Sequence, residues 1–350
     1  MNQNGSQEKS RPLARWWGKL WHSPLPTLGC EISHQGVGMA RWSRTSSRLE
    51  TVAWRPLPAG AVEASPLREN IQQPEEVRKA FAETLASLGL SPAANSKRPT
   101  DIMLVIPDQA ARLFVLNFDR FPQKRSEGLP LIKWKLKKSV PFDIDSSAIS
   151  YFTQRSGAEL QVVAVATPQR VVGQYEAVAE AFGLRPRLVI LSTLAALCLA
   201  QEGAEKFTSG NTTARDPAES SEGRPGVLVA KYSPPWLTTT ILQGGTMRLF
   251  RTVGLPLGEE GRLLPADVLA ATYPSVAFFQ DNFQGSLPRA YLCGLEENSD
   301  EISSAFEREL NLAASPLVED SGIPLSSGNR FTSEQQFAAL LGLAREQSIA

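Results

Sequence analysis

The sequence predicts an α/β protein in which one string of elements occurs twice. Two observations carry this reading. Strand-turn-strand units open at Thr27 and again at Gly226, and each is followed by alternating helices and strands. Between the copies lies Gly203–Pro225, a polar, small-residue stretch with only Phe207 of any apolar size, which reads as a flexible linker over 203–225. At 350 residues the chain is long enough for about two domains.

Composition excludes several function classes. The 36 basic and 36 acidic residues cancel, so no global field steers the protein toward nucleic acid. Cys30, Cys198 and Cys293 stand far apart in apolar segments and read as buried free thiols of a reducing compartment. With no CxxC and only His22 and His34, a metal site is not expected. No apolar run reaches the ~18 residues of a membrane span, and the N-terminus lacks a signal-peptide core, so a cytoplasmic protein is expected.

Residues 1–26 form a tail. Within it Arg15 and Lys19 are interleaved with Trp16, Trp17 and Trp21, a pattern that can rest on an anionic membrane surface. The alternative is a tail whose tryptophans pack on the protein's own body. Thr27–Ser43 reads as a hairpin and Leu49–Trp54 as a third strand. Gln73–Leu90 is a helix: Pro74 suits its first turn, Glu75 and Glu76 its positive end, and Gly89 its stop. Asp101–Ile106 is a buried-type strand, and Ala111–Asn117 follows across Pro107–Asp108.

Next comes the most individual stretch, Leu131–Tyr151. Leu129, Ile132, Leu136 and Val140 recur at helical spacing, with Lys133, Lys135, Lys137 and Lys138 on other faces. Pro141 biases Val140 out of the helical region and marks the helix end. Asp143 and Asp145 then read as a charged turn rather than a carboxylate pair or metal ligands. Strands at Ser147–Gln154 and Leu160–Thr167, a helix over Pro168–Phe182, a strand at Leu188–Leu191 and a helix over Thr193–Gln201 complete the first half.

The second half repeats the order. Strands Gly226–Tyr232, Leu237–Leu242 and Met247–Val253 precede a helix over Ala266–Phe283. A strand at Ala290–Leu295, a helix over Glu297–Leu310 and a terminal helix over Phe337–Gln347 follow. Hairpins opening both halves are what an actin-like fold requires.

The residues also resemble a known family, over roughly 27–348. Ile132–Gln154, IKWKLKKSVPFDIDSSAISYFTQ, is similar to the helix, Pro-Phe stop and strand of PilM, the actin-like component of type IV pilus assembly systems, itself similar in fold to FtsA. Val162–Val189 resembles the family's strand, long helix and Gly-Leu-x-Pro turn, and Thr238–Leu255 and Phe337–Ala344 match more weakly. The resemblance implies a duplicated RNase H-like, two-lobed fold with a small additional α+β subdomain. The first lobe would span 27–202 with that subdomain at about 101–186, and the second would span 226–350. It further implies a groove that takes the N-terminal cytoplasmic peptide of a PilN-like inner-membrane protein. Trp134, Lys137, Pro141 and Phe142 are the candidate contacts, with core packing the alternative for Trp134 and Phe142.

Actin-like ATPases hold Mg-nucleotide with two Asp-x-Gly hairpin loops and a Gly-rich adenosine turn. The matching first loop here is Glu31, Ile32, Ser33, His34, Gln35, Gly36, with Ser33 where a glycine would allow close approach. The second runs Ala230, Lys231, Tyr232, Ser233, Pro234, Pro235: the acid is gone and two prolines remove amide donors. The third reduces to Gly294, followed by Glu296 and Glu297. All three depart together, so a pseudo-ATPase is expected, with no cofactor and with ATP and magnesium disfavoured.

No nucleophile-base arrangement stands out, and His34 reads as a turn residue without a role. The lysines beside Trp134 and Phe142 could suggest nucleic-acid stacking, but their flanks are not basic and no nucleic-acid partner is expected. The expectation is an inert scaffold on the inner face of the inner membrane, with self-association left open. The rivals are a working pilus ATPase, which the loops oppose, and an FtsA-like division or filament protein. The latter calls for a terminal amphipathic helix, whereas the sequence ends AREQSIA.

Overall fold

A computed structural model describes residues 26–43, 49–90, 99–156, 159–208, 224–258, 261–295, 298–318 and 334–346. The first lobe is laid on a five-stranded sheet of order β3-β2-β1-β4-β8. Its members are β1 (Leu28–Ile32), β2 (Gly36–Trp42), β3 (Leu49–Pro56), β4 (Thr100–Ile106) and β8 (Leu184–Leu191). The second sheet has order β11-β10-β9-β12-β13. It uses β9 (Gly226–Ser233), β10 (Trp236–Gln243), β11 (Thr246–Gly254), β12 (Arg289–Cys293) and β13 (Ala313–Pro316). In each sheet three antiparallel strands are extended by two parallel ones, so the duplication expected from the sequence is present strand for strand. The fold is actin-like.

Helices cover the sheets. In the first lobe α1 (Pro74–Ser87) and α3 (Gln169–Glu180) enclose a core containing Cys30, Ile32, Phe81, Leu104 and Tyr175. Proline in the first turn of α1 costs no hydrogen bond, and Glu75 and Glu76 face its positive end. In the second lobe α5 (Pro265–Asn282) and α6 (Ser299–Leu310) enclose Leu228, Ile241, Phe279, Leu292 and Phe306. The opposite face of the first sheet is covered by α4 (Ser192–Thr208) and α7 (Ala338–Glu346), through Ala195, Leu340 and Leu343 against Ala40, Met103 and Val105. The last described helix therefore packs on the first lobe, although it was expected within a second lobe of 226–350. Its small-residue face, Ala338, Ala339 and Gly342, allows close approach to α4, and a Cβ at Gly342 would meet the Ala195 carbonyl.

The additional subdomain is a three-stranded antiparallel sheet, β5-β7-β6, carrying α2 (Arg125–Leu136) on one face. Its strands are β5 (Arg112–Phe118), β6 (Ser147–Ser156) and β7 (Glu159–Pro168). Alternation gives each face its own partner. Phe114, Leu116, Ile149, Val162, Ala164 and Ala166 meet Ile132 and Leu136 of α2. Leu113, Val115, Phe152 and Val163 meet Val227, Val229 and Met247 of the second lobe. The subdomain is thus narrower than the expected 101–186, because β4 and β8 belong to the main sheet and only 112–168 projects from it.

Three further departures have local causes. α4 runs to Thr208, six residues into the segment expected to be linker from Gly203, and residues 209–223 of that segment lie outside the described residues. Regular helix in α2 ends at Leu136 rather than reaching Pro141, although Val140 still donates to the Leu136 carbonyl at 3.2 Å. Strand β13 was not anticipated: Ala-Ala-Ser-Pro has little strand propensity and forms only because β12 offers it a parallel partner. All three cysteines are free and buried, as expected. Among the described residues no helix is long and apolar enough to cross a membrane, and no group of side chains could hold a metal ion.

Candidate functional site

The lobes meet at a cleft of about 500 Å³, lined among others by Glu31, Ser33, Gly36, Lys231, Pro234 and Gly294. The three degenerate loops therefore converge, as the sequence reading required.

In the first hairpin the turn is closed on itself. The Ser33 amide donates to the Gly36 carbonyl at 2.9 Å, and the Ser33 hydroxyl accepts from the Gln35 and Gly36 amides at 3.3 Å each. The Ser33, Gln35 and Gly36 amides are thus engaged within the loop. Gly36 is demanded by packing, since a Cβ there would lie 2.4 Å from the Arg55 carbonyl and 2.6 Å from the Trp54 ring. In the second hairpin, Pro234 and Pro235 have no amide hydrogen to offer. In the third turn Gly294 adopts a φ of 74°, and a Cβ would lie 2.1 Å from the Tyr232 carbonyl. Close approach of that turn to β9 is reason enough for the glycine.

Strand parity corrects one assignment. Glu31 reaches the cleft from β1, while its neighbours Cys30 and Ile32 point into the first-lobe core. On β9 Ala230 is fully buried in the second-lobe core, beside Leu228 and Tyr232. Lys231 lines the cleft, with Tyr232 and Ser233 following it. Side chains alternate along a strand, so matching the loops one residue out of register placed the counterpart of Glu31 on the wrong face. The counterpart is Lys231, and Tyr232 is a core residue whose hydroxyl donates to the Leu255 carbonyl at 3.0 Å.

The electrostatics follow from burial and from this lysine. Glu31 accepts a hydrogen bond from the Ser192 hydroxyl. Burial raises its pKa most, and Lys231 and Ser192 pull against that rise. His34 is pushed down to about 4, first by burial and then by the positive charge of Lys231. Its Nε2 is enclosed without a hydrogen-bond partner. Burial also holds the Cys30 thiol well above its usual range. One carboxylate and one ammonium lining the same cleft are a poor donor set for a divalent cation, which prefers oxygen ligands. The residues present do not fit magnesium in the manner of an actin-like site.

Sequence reasoning missed Asp108. This buried carboxylate, just beyond the C-terminal end of β4, accepts from the Thr193 amide at 3.0 Å, from the Thr193 hydroxyl, and from the Thr238 hydroxyl at 2.9 Å. Its place at the N-terminus of α4 adds the favourable end of a helix dipole. One signal was available: an acid directly after the apolar run Ile102–Ile106, at a strand's carboxyl end, where open α/β sheets place functional groups.

The second candidate region is α2 and the turn after it. Ile132 and Leu136 are buried, and two residues away Trp134 stands on the opposite face, 77% exposed, with Leu131 beside it at 40%. Lys137 and Pro141 are exposed as well. Phe142 differs: it packs, half-buried, on the subdomain core. Of the four candidate contacts, three are offered to solvent and one is turned inward by the apolar pocket beneath the turn.

The lysines are tied to their own subdomain. Lys133 donates to the Asp145 carbonyl at 3.0 Å, Lys135 lies 4.3 Å from the Phe118 ring centroid, and Lys137 is 3.9 Å from the Asp145 carboxylate. Asp143 accepts from the Asp145 and Ser146 amides at 3.1 Å each, and its pKa is lowered first by the Ser146 side chain and then by these amides. The acidic pair is therefore a turn former, in keeping with its reading from sequence. Arg15, Trp16, Trp17, Lys19 and Trp21 lie outside the described residues, as do Glu296 and Glu297.

No family model matches this sequence, and no curated protein is similar to it in sequence. Among solved structures it is similar to a chain of a PilM-PilN type IV pilus biogenesis complex, with a TM-score of 0.66 and 19% identity over 92% of this chain and 98% of that one. Two others are more distant. A Bacteroides thetaiotaomicron protein with an actin-like ATPase fold and unknown function has a TM-score of 0.48 at 10% identity, over 83% of this chain and 91% of that one. The cytoplasmic domain of EpsL, an inner-membrane component of the Vibrio cholerae type II secretion system, has 0.46 at 10%, over 92% and 94%. The chain has an actin-like fold similar throughout its length to the PilM-PilN complex chain, at an identity that makes the likeness one of fold.

Proposed function

We propose that the protein is a docking scaffold of a type IV pilus-like or related secretion machine. In this reading it binds the N-terminal cytoplasmic peptide of a PilN-like inner-membrane protein, lies on the inner face of that membrane, and hydrolyses no nucleotide. The observation that carries the proposal is a contrast between two regions. In the cleft the turn amides are engaged, two donors are replaced by proline, and Lys231 occupies the place of a metal-organising acid. On the subdomain α2 buries Ile132 and Leu136 and presents Trp134 outward. Trp134 at 77% exposure has Leu131 exposed beside it, and tryptophan is enriched among binding anchors. A short extended peptide bound through one or two apolar anchors fits such a surface.

The test is a fluorescence titration of the full chain with the N-terminal peptide of the PilN-like protein from the same organism. Trp134→Ala should keep the fold, because the side chain is outside the core, and weaken binding by ~10-fold or more. Unchanged binding by a folded variant removes α2 from the interface. The reading of a working ATPase is opposed by Lys231, whose charge repels the metal such an enzyme requires.

A further inference from the structure

We infer that the outer face of α2 is the surface by which the protein meets an anionic lipid membrane, its lysines set toward the headgroup phosphates. This goes beyond the docking proposal, which names a membrane but no surface that meets it. The chain is neutral as a whole, with 36 basic and 36 acidic residues, yet its charge is segregated. The subdomain, 112–168, carries nine basic residues against five acidic ones, a net of +4. The rest of the chain therefore carries a net of −4. An anionic surface attracts the first part and repels the second, which orients the molecule with the subdomain toward it.

The excess gathers on α2 and the turn that ends it. Between positions 124 and 138 stand Lys124, Arg125, Lys133, Lys135, Lys137 and Lys138, against Glu127 alone. Ile132 and Leu136 face the subdomain sheet, so Trp134, two residues from each, points away from it. Lys133 donates to the Asp145 carbonyl, just before β6, and Lys135 to the Asn117 carbonyl in β5. Strands β5 and β6 are opposite edges of the sheet, so the two ammonium groups are spread to either side of the indole.

A carbonyl oxygen carries no net charge, so these bonds position the two lysines without cancelling them. The nearby carboxylates cancel little more. Lys137 lies 3.9 Å from Asp145 and Lys124 lies 3.8 Å from Glu127, with all four side chains exposed, where water screens such pairs. Exposed Lys138 and Leu131 complete the face. Cations for the phosphates, together with an amphipathic aromatic for the headgroup zone, are what a membrane-surface helix offers. Nucleic acid fits less well, since the outer face of a helix with one exposed tryptophan provides neither a groove nor a row of stacking rings. A peptide from an inner-membrane protein would reach this face from the same bilayer, so lipid and peptide contacts are compatible.

The experiment is co-sedimentation of the full chain with phosphatidylcholine vesicles, with and without about one third phosphatidylglycerol, at low ionic strength. Wild type should bind the anionic vesicles ~5-fold better or more, and added salt should erase the preference. Lys137→Glu with Lys138→Glu should lower binding to the anionic vesicles ~5-fold or more, and the corresponding Gln pair should lower it by less. The control reverses two exposed charges outside the subdomain, Arg78→Glu with Lys79→Glu on α1, and should stay within about twofold of wild type. Thermal unfolding checks that each variant is folded, and the Gln pair decides if the Glu pair is not. An equal loss in the control, or no preference of wild type for anionic vesicles, would overturn the inference. So would a preference that survives the changes at Lys137 and Lys138, which would assign lipid binding to another part of the chain, or tighter binding of single-stranded DNA through the same lysines. Vesicle binding is read without peptide and peptide binding without vesicles, so the two proposals fail separately.

Discussion

Thr238 of the second lobe donates its hydroxyl to Asp108 of the first at 2.9 Å, and both groups are buried. The same carboxylate takes the amide and hydroxyl of Thr193 at the start of α4. One side chain thus ties the end of β4, the N-terminus of a helix and a strand of the opposite lobe. Thr238→Val keeps the shape of the side chain and removes only the donor, so it should cost about 1–2 kcal/mol. Asp108→Ala strands several donors and should cost about 3 kcal/mol or more. Chemical denaturation of both variants checks the order, and equal losses would show that the bond across the lobes does not matter.

Gln154 plays a similar part for the subdomain. Its amide oxygen accepts from the Met247 amide at 3.0 Å and its amide nitrogen donates to the Met247 carbonyl at 2.7 Å, so the side chain pairs with the outer edge of β11 as a strand would. Gln154→Leu should cost about 1–3 kcal/mol, because both Met247 groups are left buried and unpaired. The loss should appear in hydrogen exchange as faster opening of β6, β7 and α2, with the second-lobe core unchanged.

His34 predicts a pH dependence. Its pKa in the folded protein is about 4, below its usual value, so between pH 6.5 and 4 the unfolded chain binds a proton that the folded one does not. Stability should therefore fall as pH is lowered through that window, by at most about 3 kcal/mol. Glu31 acts in the opposite sense, since its raised pKa makes the folded state the better proton acceptor. The contribution of His34 is isolated as the difference between wild type and His34→Gln across the pH series. A difference that does not change with pH would remove it.

The duplication was legible because hairpins and helix stops are local: Pro74, Gly89 and the paired glycines Gly244 and Gly245 announce their own geometry. The exposed tryptophan was half-legible, since Trp134 falls opposite Ile132 and Leu136 on the wheel, but periodicity alone could not say which face the subdomain sheet would take. What escaped was non-local. Asp108 meets partners 85 and 130 positions away. The place of Lys231 in the cleft was hidden by a one-residue error of strand parity, which loop shape cannot reveal and a burial pattern shows at once.

The central claim is that this chain acts by docking and that its cleft has no part for nucleotide. It is tested most directly by calorimetric titration of the full chain with the PilN-like N-terminal peptide, with and without Mg-ATP. The account predicts the same affinity in both, and no heat from Mg-ATP alone. Peptide binding that appears only with Mg-ATP, or is tightened tenfold by it, would contradict it.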